Sequence, residues 1–159
     1  DYTNTTLSDG DYVITAKIAS IPFNLKIDTS IAIPVVTSIS DDTGISNTDA
    51  ITSDNTILIN GTAENNAIVE IFIDATSIGS IITDRNGNWT FDHSAVILAD
   101  GSYNITTKAT DISGNTSELS NGFNLTINTT FQIYPNPFQS STTLAYQLAV
   151  PAKRILPSS

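Results

Sequence analysis

Leu98–Lys108 reads LADGSYNITTK and Leu7–Lys17 reads LSDGDYVITAK, so one pattern of turn and strand residues occurs twice, 91 positions apart. The match continues along the chain, where Phe23–Thr29 (FNLKIDT) reappears as Phe123–Thr129 (FNLTINT) at a displacement of 100. A repeat with a period close to the size of one small domain indicates tandem modules, each of which packs as a unit. Modules of this kind favour a role in extending the protein and contacting partners over a catalytic role.

The displacement grows from 91 to 100 because the first copy lacks a short stretch. In the second copy this stretch is Thr110–Thr116 (TDISGNT), whose polar, turn-rich composition predicts a loop between two strands. Since Asp1 aligns with Asp92, the chain starts inside a repeat. We therefore expect three parts: the C-terminal part of a preceding repeat at 1–30, one complete repeat at 31–130, and an incomplete segment at 131–159.

Alternation with period two predicts strands. Between Ser102 and Thr110 every second residue, Tyr103 and Ile105 among them, is expected to face a core. Asn86–Gly87 predicts a hairpin turn, and Tyr103 shortly after Asp100–Gly101 predicts a tyrosine corner, with Tyr12 as its counterpart in the first copy. The remaining strands are expected at about 33–39, 56–61, 67–74, 77–83, 88–92 and 123–128. The sequence thus predicts an all-β, seven-stranded Greek-key immunoglobulin-like sandwich with partial β segments at both ends.

Composition excludes several classes of function. Sixteen acidic residues against six basic ones give a net charge of -10, which repels nucleic acid and anionic membrane surfaces. The chain contains no cysteine, so neither disulfides nor thiol chemistry can operate. No apolar run approaches the roughly 20 residues of a membrane span. We expect neither nucleic acid as a partner nor insertion into a membrane.

Aspartates cluster in loops at both expected ends of the sandwich. Asp41, Asp42 and Asp54 fall in the first long connection, whereas Asp111 falls at the opposite end, facing the linker that contains Asp28. Calcium takes six to eight oxygen ligands, which Asp side chains and backbone carbonyls can supply. We predict Asp41, Asp42, Asp54 and Asp111 as candidate calcium ligands. The alternative is that these aspartates form turns and lie in solvent.

The sequence offers little basis for catalysis. Its one histidine, His93, lies between Asp92 and Ser94, and neighbours on an extended strand point to opposite faces, so the three cannot align as a triad. No phosphate-binding loop, dinucleotide fingerprint or zinc-ligand spacing occurs. We predict no catalytic residue, no organic cofactor, and calcium as the one candidate cofactor.

Five blocks of residues resemble the bacterial Ig-like repeat of large surface adhesins and biofilm-associated proteins. They are Gly61–Glu64, Val69–Asp74, Asp84–Trp89, Leu98–Tyr103, and Ala109–Asp111 with Gly114–Ser117. The resemblance covers about 31–130, with a partial copy at 1–30. It implies a stalk or adhesive module in a large exported protein, often stiffened by calcium at module junctions.

A second resemblance begins at Ile133. The motif Tyr134-Pro135-Asn136-Pro137-Phe138 and the residues after it are similar to the opening of the C-terminal sorting domain of the type IX secretion system, over about 131–150. The two prolines exclude a helix and favour an extended entrance to a strand. The resemblance implies a Bacteroidota-type exported protein whose C-terminal segment contacts the secretion machinery.

Three functions fit these observations. The first is a non-catalytic stalk or adhesive module of a secreted or cell-surface protein, stacked on neighbouring Ig-like repeats and stiffened by calcium. The second is an accessory spacer of a secreted enzyme. The third is a filament subunit in which other copies of the chain complete exposed strand edges.

Overall fold

The computed structural model describes residues 6–15, 22–44 and 46–130 of the chain. These residues contain ten β-strands and no helix. The strands are β1 (Gly10–Ile14), β2 (Phe23–Ile27), β3 (Val35–Ile39), β4 (Ile51–Thr52), β5 (Leu58–Thr62), β6 (Ile68–Ile73), β7 (Thr76–Ile82), β8 (Asn88–Asp92), β9 (Gly101–Thr110) and β10 (Phe123–Ile127). The all-β prediction is confirmed. None of these residues belongs to a helix that could span a bilayer. The predicted sorting motif, Tyr134–Phe138, lies outside the described residues.

Two sheets form the module that follows the linker. One has five strands in the order β4-β10-β9-β6-β7, and the other has three in the order β3-β5-β8. Neighbouring strands are antiparallel except β4 and β10, which pair in parallel. This arrangement is consistent with the expected immunoglobulin-like sandwich. Strands β1 and β2 form a separate antiparallel hairpin.

The module has eight described strands, so the expected count of seven is wrong by one. The additional strand is β4, which contains only Ile51 and Thr52. Two residues are too few to show a period-two pattern, and the strand is defined by pairing with Thr126 and Ile127, far along the chain. Local sequence therefore gives no signal for it.

The core lies between the two sheets and is built by alternation. In β6 the residues Val69, Ile71 and Ile73 are buried while their neighbours are more exposed. The same inward row continues along β9 and β10, and the facing sheet contributes its own apolar residues. Side chains less than 2% exposed include Ile57, Ile59, Ile71, Ile105, Leu125 and Ile127. Burial of each such side chain stabilises the fold by roughly 1.5–3 kcal/mol before entropic costs.

Trp89 depends on a glycine opposite it. Gly61 on β5 pairs with Trp89 on β8, and the indole is 4% exposed. A Cβ atom at position 61 would overlap the Trp89 ring and the carbonyl oxygen of Val35 on β3. The absence of a side chain at Gly61 therefore allows three strands and one large aromatic ring to pack together.

The tyrosine corner is confirmed in both copies. Tyr103 Oη donates to the carbonyl of Ala99 at 2.8 Å, and Tyr12 Oη donates to the carbonyl of Ser8 at 2.8 Å. Each bond spans four residues and fixes the turn that leads into a strand. The repeated sequence therefore produces the same local contact twice.

Replacing Gly61 by alanine should destabilise the module. Because the new methyl group must displace Trp89 or strand β3, we expect Gly61→Ala to lower the free energy of unfolding by about 1–3 kcal/mol. Thermal and urea unfolding monitored by Trp89 fluorescence measure the loss. Thr62→Ser, at the next and exposed position, is the control and should change stability by less than about 0.5 kcal/mol. Equal stability of Gly61→Ala and the unsubstituted chain would contradict this packing.

Candidate functional site

Three carboxylates from three segments meet at one end of the module. Asp28 follows β2, Glu64 follows β5 and Asp111 follows β9. One carboxylate oxygen from each lies within 4.8 Å of the other two. Among the described residues this is the one group of three or more metal-ligating side chains that approach so closely. We refer to Asp28, Glu64 and Asp111 as the junction cluster.

A tight turn positions Asp111. Its Oδ1 accepts hydrogen bonds from the backbone amides of Ser113 and Asn115, both at 2.8 Å. Gly114 has a φ of 90°, a conformation that residues with a side chain rarely adopt. The polar residues of 110–116 that follow β9 therefore form the loop predicted from the sequence. This loop holds the Asp111 carboxylate, which is 8% exposed, against the module.

Opposing effects set the pKa of Asp111. Burial is the largest single effect and acts to raise the pKa. Hydrogen bonds from the Asn115 side chain and from the Asn115, Ser113 and Gly114 amides together outweigh burial, and the pKa falls below its usual value. The carboxylate is therefore held in its charged form at neutral pH.

Asn115 connects the linker to the module. Its Nδ2 donates to Asp111 Oδ2 at 2.8 Å and to the backbone carbonyl of Asp28 at 3.0 Å. The second bond joins residues 87 positions apart. One amide thus ties the end of the β1–β2 hairpin to the loop after β9.

Glu64 is fixed through its backbone. Its carbonyl accepts hydrogen bonds from Thr83 Oγ1 at 2.6 Å and from the Ala67 amide at 3.3 Å. Thr83 is 3% exposed, so this anchor is buried. Because the backbone makes these contacts, the side chain can turn toward Asp28 and Asp111.

One lysine offsets part of the charge of the junction cluster. Lys26 Nζ lies 2.9 Å from Asp28 Oδ2. The hydrogen bond to Asp28 and the Asp28 charge are the main causes that raise the pKa of Lys26, with a small contribution from Glu64. Three formal negative charges therefore face one positive charge, and the excess favours a cation. Carboxylate and carbonyl oxygens are the ligands that calcium prefers, so the residues present fit this ion.

The remaining predicted ligands lie at the other end of β9. Asp54 Oδ1 accepts from the amide and hydroxyl of Thr56, both at 2.9 Å, and Asp42 Oδ2 accepts from the Ala50 amide at 2.9 Å. The Asp41 carbonyl accepts from Thr52 Oγ1 at 2.8 Å. The structure brings Asp111 together with Asp28, as expected, but it does not place Asp41, Asp42 or Asp54 in a cluster of three carboxylates among the described residues. The contacts of Asp42 and Asp54 are typical of turns, and metal binding by the three aspartates stays a prediction.

Sequence reasoning missed two members of the site. Glu64 was not recognised because its turn after β5 reaches Asp111 only through the pairing of strands distant in sequence. Asn115 was not recognised because asparagine is common in turns and its second bond crosses to the linker. A signal for Glu64 existed, since its loop and the Asp111 loop fall at the same end in Greek-key order.

The residues around His93 do not form a catalytic array. Ser94 Oγ donates to Asp92 Oδ1 at 2.6 Å, so the carboxylate binds the serine rather than orienting the imidazole. Burial is the main cause that lowers the pKa of His93, and the Asp92 charge opposes it. The nearby ring of Phe91 lies 6.3 Å from that of His93.

The chain is similar to a known protein family. The family described as "Bacterial Ig-like domain" matches residues 30–129, which include Glu64, Asp111 and Asn115. Asp28 lies just before the matched region. A search of the curated proteins found no match.

Asp111 should contribute to the pH dependence of stability. Its pKa is lowered on folding, so its contribution is present above the unfolded value of about 3.8 and is lost as the pH falls through the lower folded value. We expect Asp111→Asn to be less stable than the unsubstituted chain at pH 7, with the difference shrinking below about pH 3.8. Urea unfolding at several pH values measures it. Glu118→Gln, an exposed position nearby, is the control; a difference independent of pH would contradict the role of Asp111.

Proposed function

The chain belongs to the bacterial Ig-like domain family, and from that premise we propose that it is a non-catalytic spacer module in the stalk of a secreted or surface-exposed bacterial protein. Domains of this family are commonly extracellular or surface-associated. The observation that carries the proposal is the contact between Asn115 and Asp28, which ties the module to the segment before it. A module docked on its neighbour fixes the position of that neighbour and transmits force along the chain.

The path of the chain supports a spacer. The linker enters beside Asp111, at the end of β9, whereas β10 ends at Ile127, which pairs with Gly101 at the start of β9. The ten residues of β9 separate these points by about 30 Å, given the rise of an extended strand. A chain that enters at one end and leaves at the other suits stacking of modules end to end.

Calcium at the junction cluster is the second part of the proposal. The ion would be bound by carboxylate oxygens of Asp28, Glu64 and Asp111 and would join the linker to two loops of the module. The excess negative charge and the oxygen-only ligand set support this ion. Its role is structural: it neutralises the repulsion between the carboxylates and stiffens the junction.

The cluster is specific to this junction. The first copy lacks the counterpart of the loop that carries Asp111, and Asn128 occupies the position in the second copy that Asp28 occupies in the first. Neither repeat therefore supplies the same residues for an equivalent cluster at its other junction. Asn128 also indicates that asparagine is compatible with the backbone at this position, which makes Asp28→Asn a conservative test.

Export is the remaining part of the proposal. The similarity of about 131–150 to a type IX sorting domain supports delivery to the outer surface of a Bacteroidota-type cell. The motif Tyr134–Phe138 would contact the secretion machinery.

Calcium titration tests the proposed function. We expect chelator-treated protein to bind one calcium ion with a dissociation constant of about 10⁻⁴–10⁻³ M, typical of extracellular modules. A calcium concentration of 100 times that constant should stabilise the module by about 2.7 kcal/mol. Isothermal titration calorimetry and thermal unfolding measure both effects.

Matched variants locate the ion. Glu64→Gln and Asp28→Asn should each weaken binding at least about tenfold because each removes one charged ligand while keeping the side-chain shape. Asp54→Asn, at the other end of the module, should bind as the unsubstituted chain does. Absence of binding, or its loss in Asp54→Asn alone, would overturn the junction site.

A further inference from the structure

Three asparagines of the chain are each followed by glycine. These pairs are Asn60–Gly61, Asn86–Gly87 and Asn121–Gly122. Because glycine has no Cβ atom, its backbone nitrogen can approach the side chain of the preceding asparagine with little steric hindrance. Such pairs are prone to spontaneous loss of the side-chain amide, and the local structure decides which of the three can react.

The reaction needs water as its only co-reactant. The backbone nitrogen of the glycine loses its proton and bonds to Cγ of the asparagine, the Cγ–Nδ2 bond breaks, and ammonia leaves with that proton. Water then opens the succinimide ring at either carbonyl, which gives aspartate or isoaspartate. Any hydrogen bond that the glycine amide makes must be broken first, at a free-energy cost.

Asn60 is held between neighbouring strands. Its Oδ1 accepts from Thr90 Oγ1 at 2.8 Å, and its Nδ2 donates to Ser38 Oγ at 3.4 Å. Gly61 is buried in β5, which pairs with β3 on one side and with β8 on the other. The strands must separate before the ring can close, so the sheet protects this pair.

Asn86 lies in the turn between β7 and β8, and this turn occupies the amide that would react. The Gly87 amide donates to the carbonyl of Asp84 at 3.0 Å, and the Gly87 carbonyl accepts from the Ala63 amide at 2.8 Å. Gly87 is buried, and a Cβ atom there would overlap the carbonyl oxygen of Ala63. The Asn86 amide donates to Asp84 Oδ1 at 2.8 Å. Hydrogen bonds on both sides of the pair therefore fix its backbone.

Asn121 and Gly122 are both exposed, in the segment that leads into β10. The Ser120 amide donates to the carbonyl of Thr107 at 2.8 Å, and Ser120 Oγ donates to the carbonyl of Asn121 at 2.9 Å. Among the residues that the structure describes, no hydrogen bond reaches the Asn121 side chain or the Gly122 amide. This pair therefore has the free amide and the unrestrained side chain that ring closure requires.

We propose that Asn121 is a site of spontaneous deamidation in the folded protein and that the fold protects Asn60 and Asn86. The inference goes beyond the proposed function, because it holds whether or not the junction binds calcium. The reactive pair belongs to the second copy of the repeated pattern alone. In the first copy the equivalent residues are Ile21, which has no side-chain amide, and Pro22, which has no backbone N–H.

The product would change the groove at the start of β10. Residues 33–36 and 120–123 line this groove, where the chain between β2 and β3 enters the module. Deamidation adds a negative charge there, and isoaspartate also adds one carbon atom to the main chain. The added atom falls between Ser120, which is bonded to Thr107, and Phe123, which pairs with Ile105. Modification of Asn121 therefore alters the end of the module that faces the linker.

Peptide mass mapping of the full chain tests the proposal. Folded protein is incubated at mildly alkaline pH, which favours loss of the amide proton, and is then cleaved with pepsin in acid, where ring closure is slow. We expect the peptide that contains Asn121 to gain about 1 Da at least about ten times faster than peptides that contain Asn60 or Asn86, which react only when a strand or turn opens. In chain unfolded by urea the three should react at rates within about threefold of one another, because glycine follows each asparagine.

Asn121→Gln is the matched variant, because glutamine keeps the amide but must close a larger ring, which forms more slowly. This variant should lose the fast mass gain and keep the slow gain at Asn60 and Asn86. Equal rates at the three asparagines of the folded chain would overturn the proposal, as would a faster gain at Asn86. Absence of a gain at Asn121 in folded protein, under conditions in which the unfolded chain reacts, would also overturn it.

Discussion

Strand β9 lies between β6 and β10, and the module depends on this placement. Its inward residues Ile105 and Ala109 are completely buried, and one corner of the module lies at each end of the strand. The start of the strand holds the tyrosine corner, and Asp111 follows its last residue. Because ladder hydrogen bonds on both edges fix the strand, the two corners are held about 30 Å apart in a fixed orientation.

The junction at the end of β9 combines attraction and repulsion. Asn115 joins the linker to the module through Asp28, while Asp28, Glu64 and Asp111 bring three carboxylates within 4.8 Å. The pairing of β6 with β9, which places Ile68 opposite Thr110, brings the turn of Glu64 to Asp111, and Lys26 offsets only part of the charge. The hydrogen bond from Asn115 to Asp28 therefore holds the linker on the module against the mutual repulsion of the three carboxylates.

Much of this architecture could be predicted from the repeated stretch. Period-two alternation in Ser102–Thr110 identified β9, and the position of Tyr103 after a glycine turn identified the corner, because both are local patterns. Strand β4 could not be predicted, since it is defined by partners distant in sequence. Greek-key order places the loop of Glu64 at the same end as Asp111, but the close approach of the two carboxylates depends on the pairing of β6 with β9 and could not be predicted. The shared position of Asp41, Asp42 and Asp54 in one long connection could be predicted, but loop position alone does not determine whether carboxylates converge.

Rigid docking of the linker on the module through the junction cluster would fix the distance between the β1–β2 hairpin and β7. Because the chain has no cysteine, spin labels can be placed through Asn24→Cys on the hairpin and Ser80→Cys on β7, both at exposed positions. Pulsed electron paramagnetic resonance then measures the distance between them with and without calcium. We expect one narrow distance distribution in calcium that broadens when Asp28→Asn is added. A broad distribution that neither calcium nor Asp28→Asn changes would contradict it.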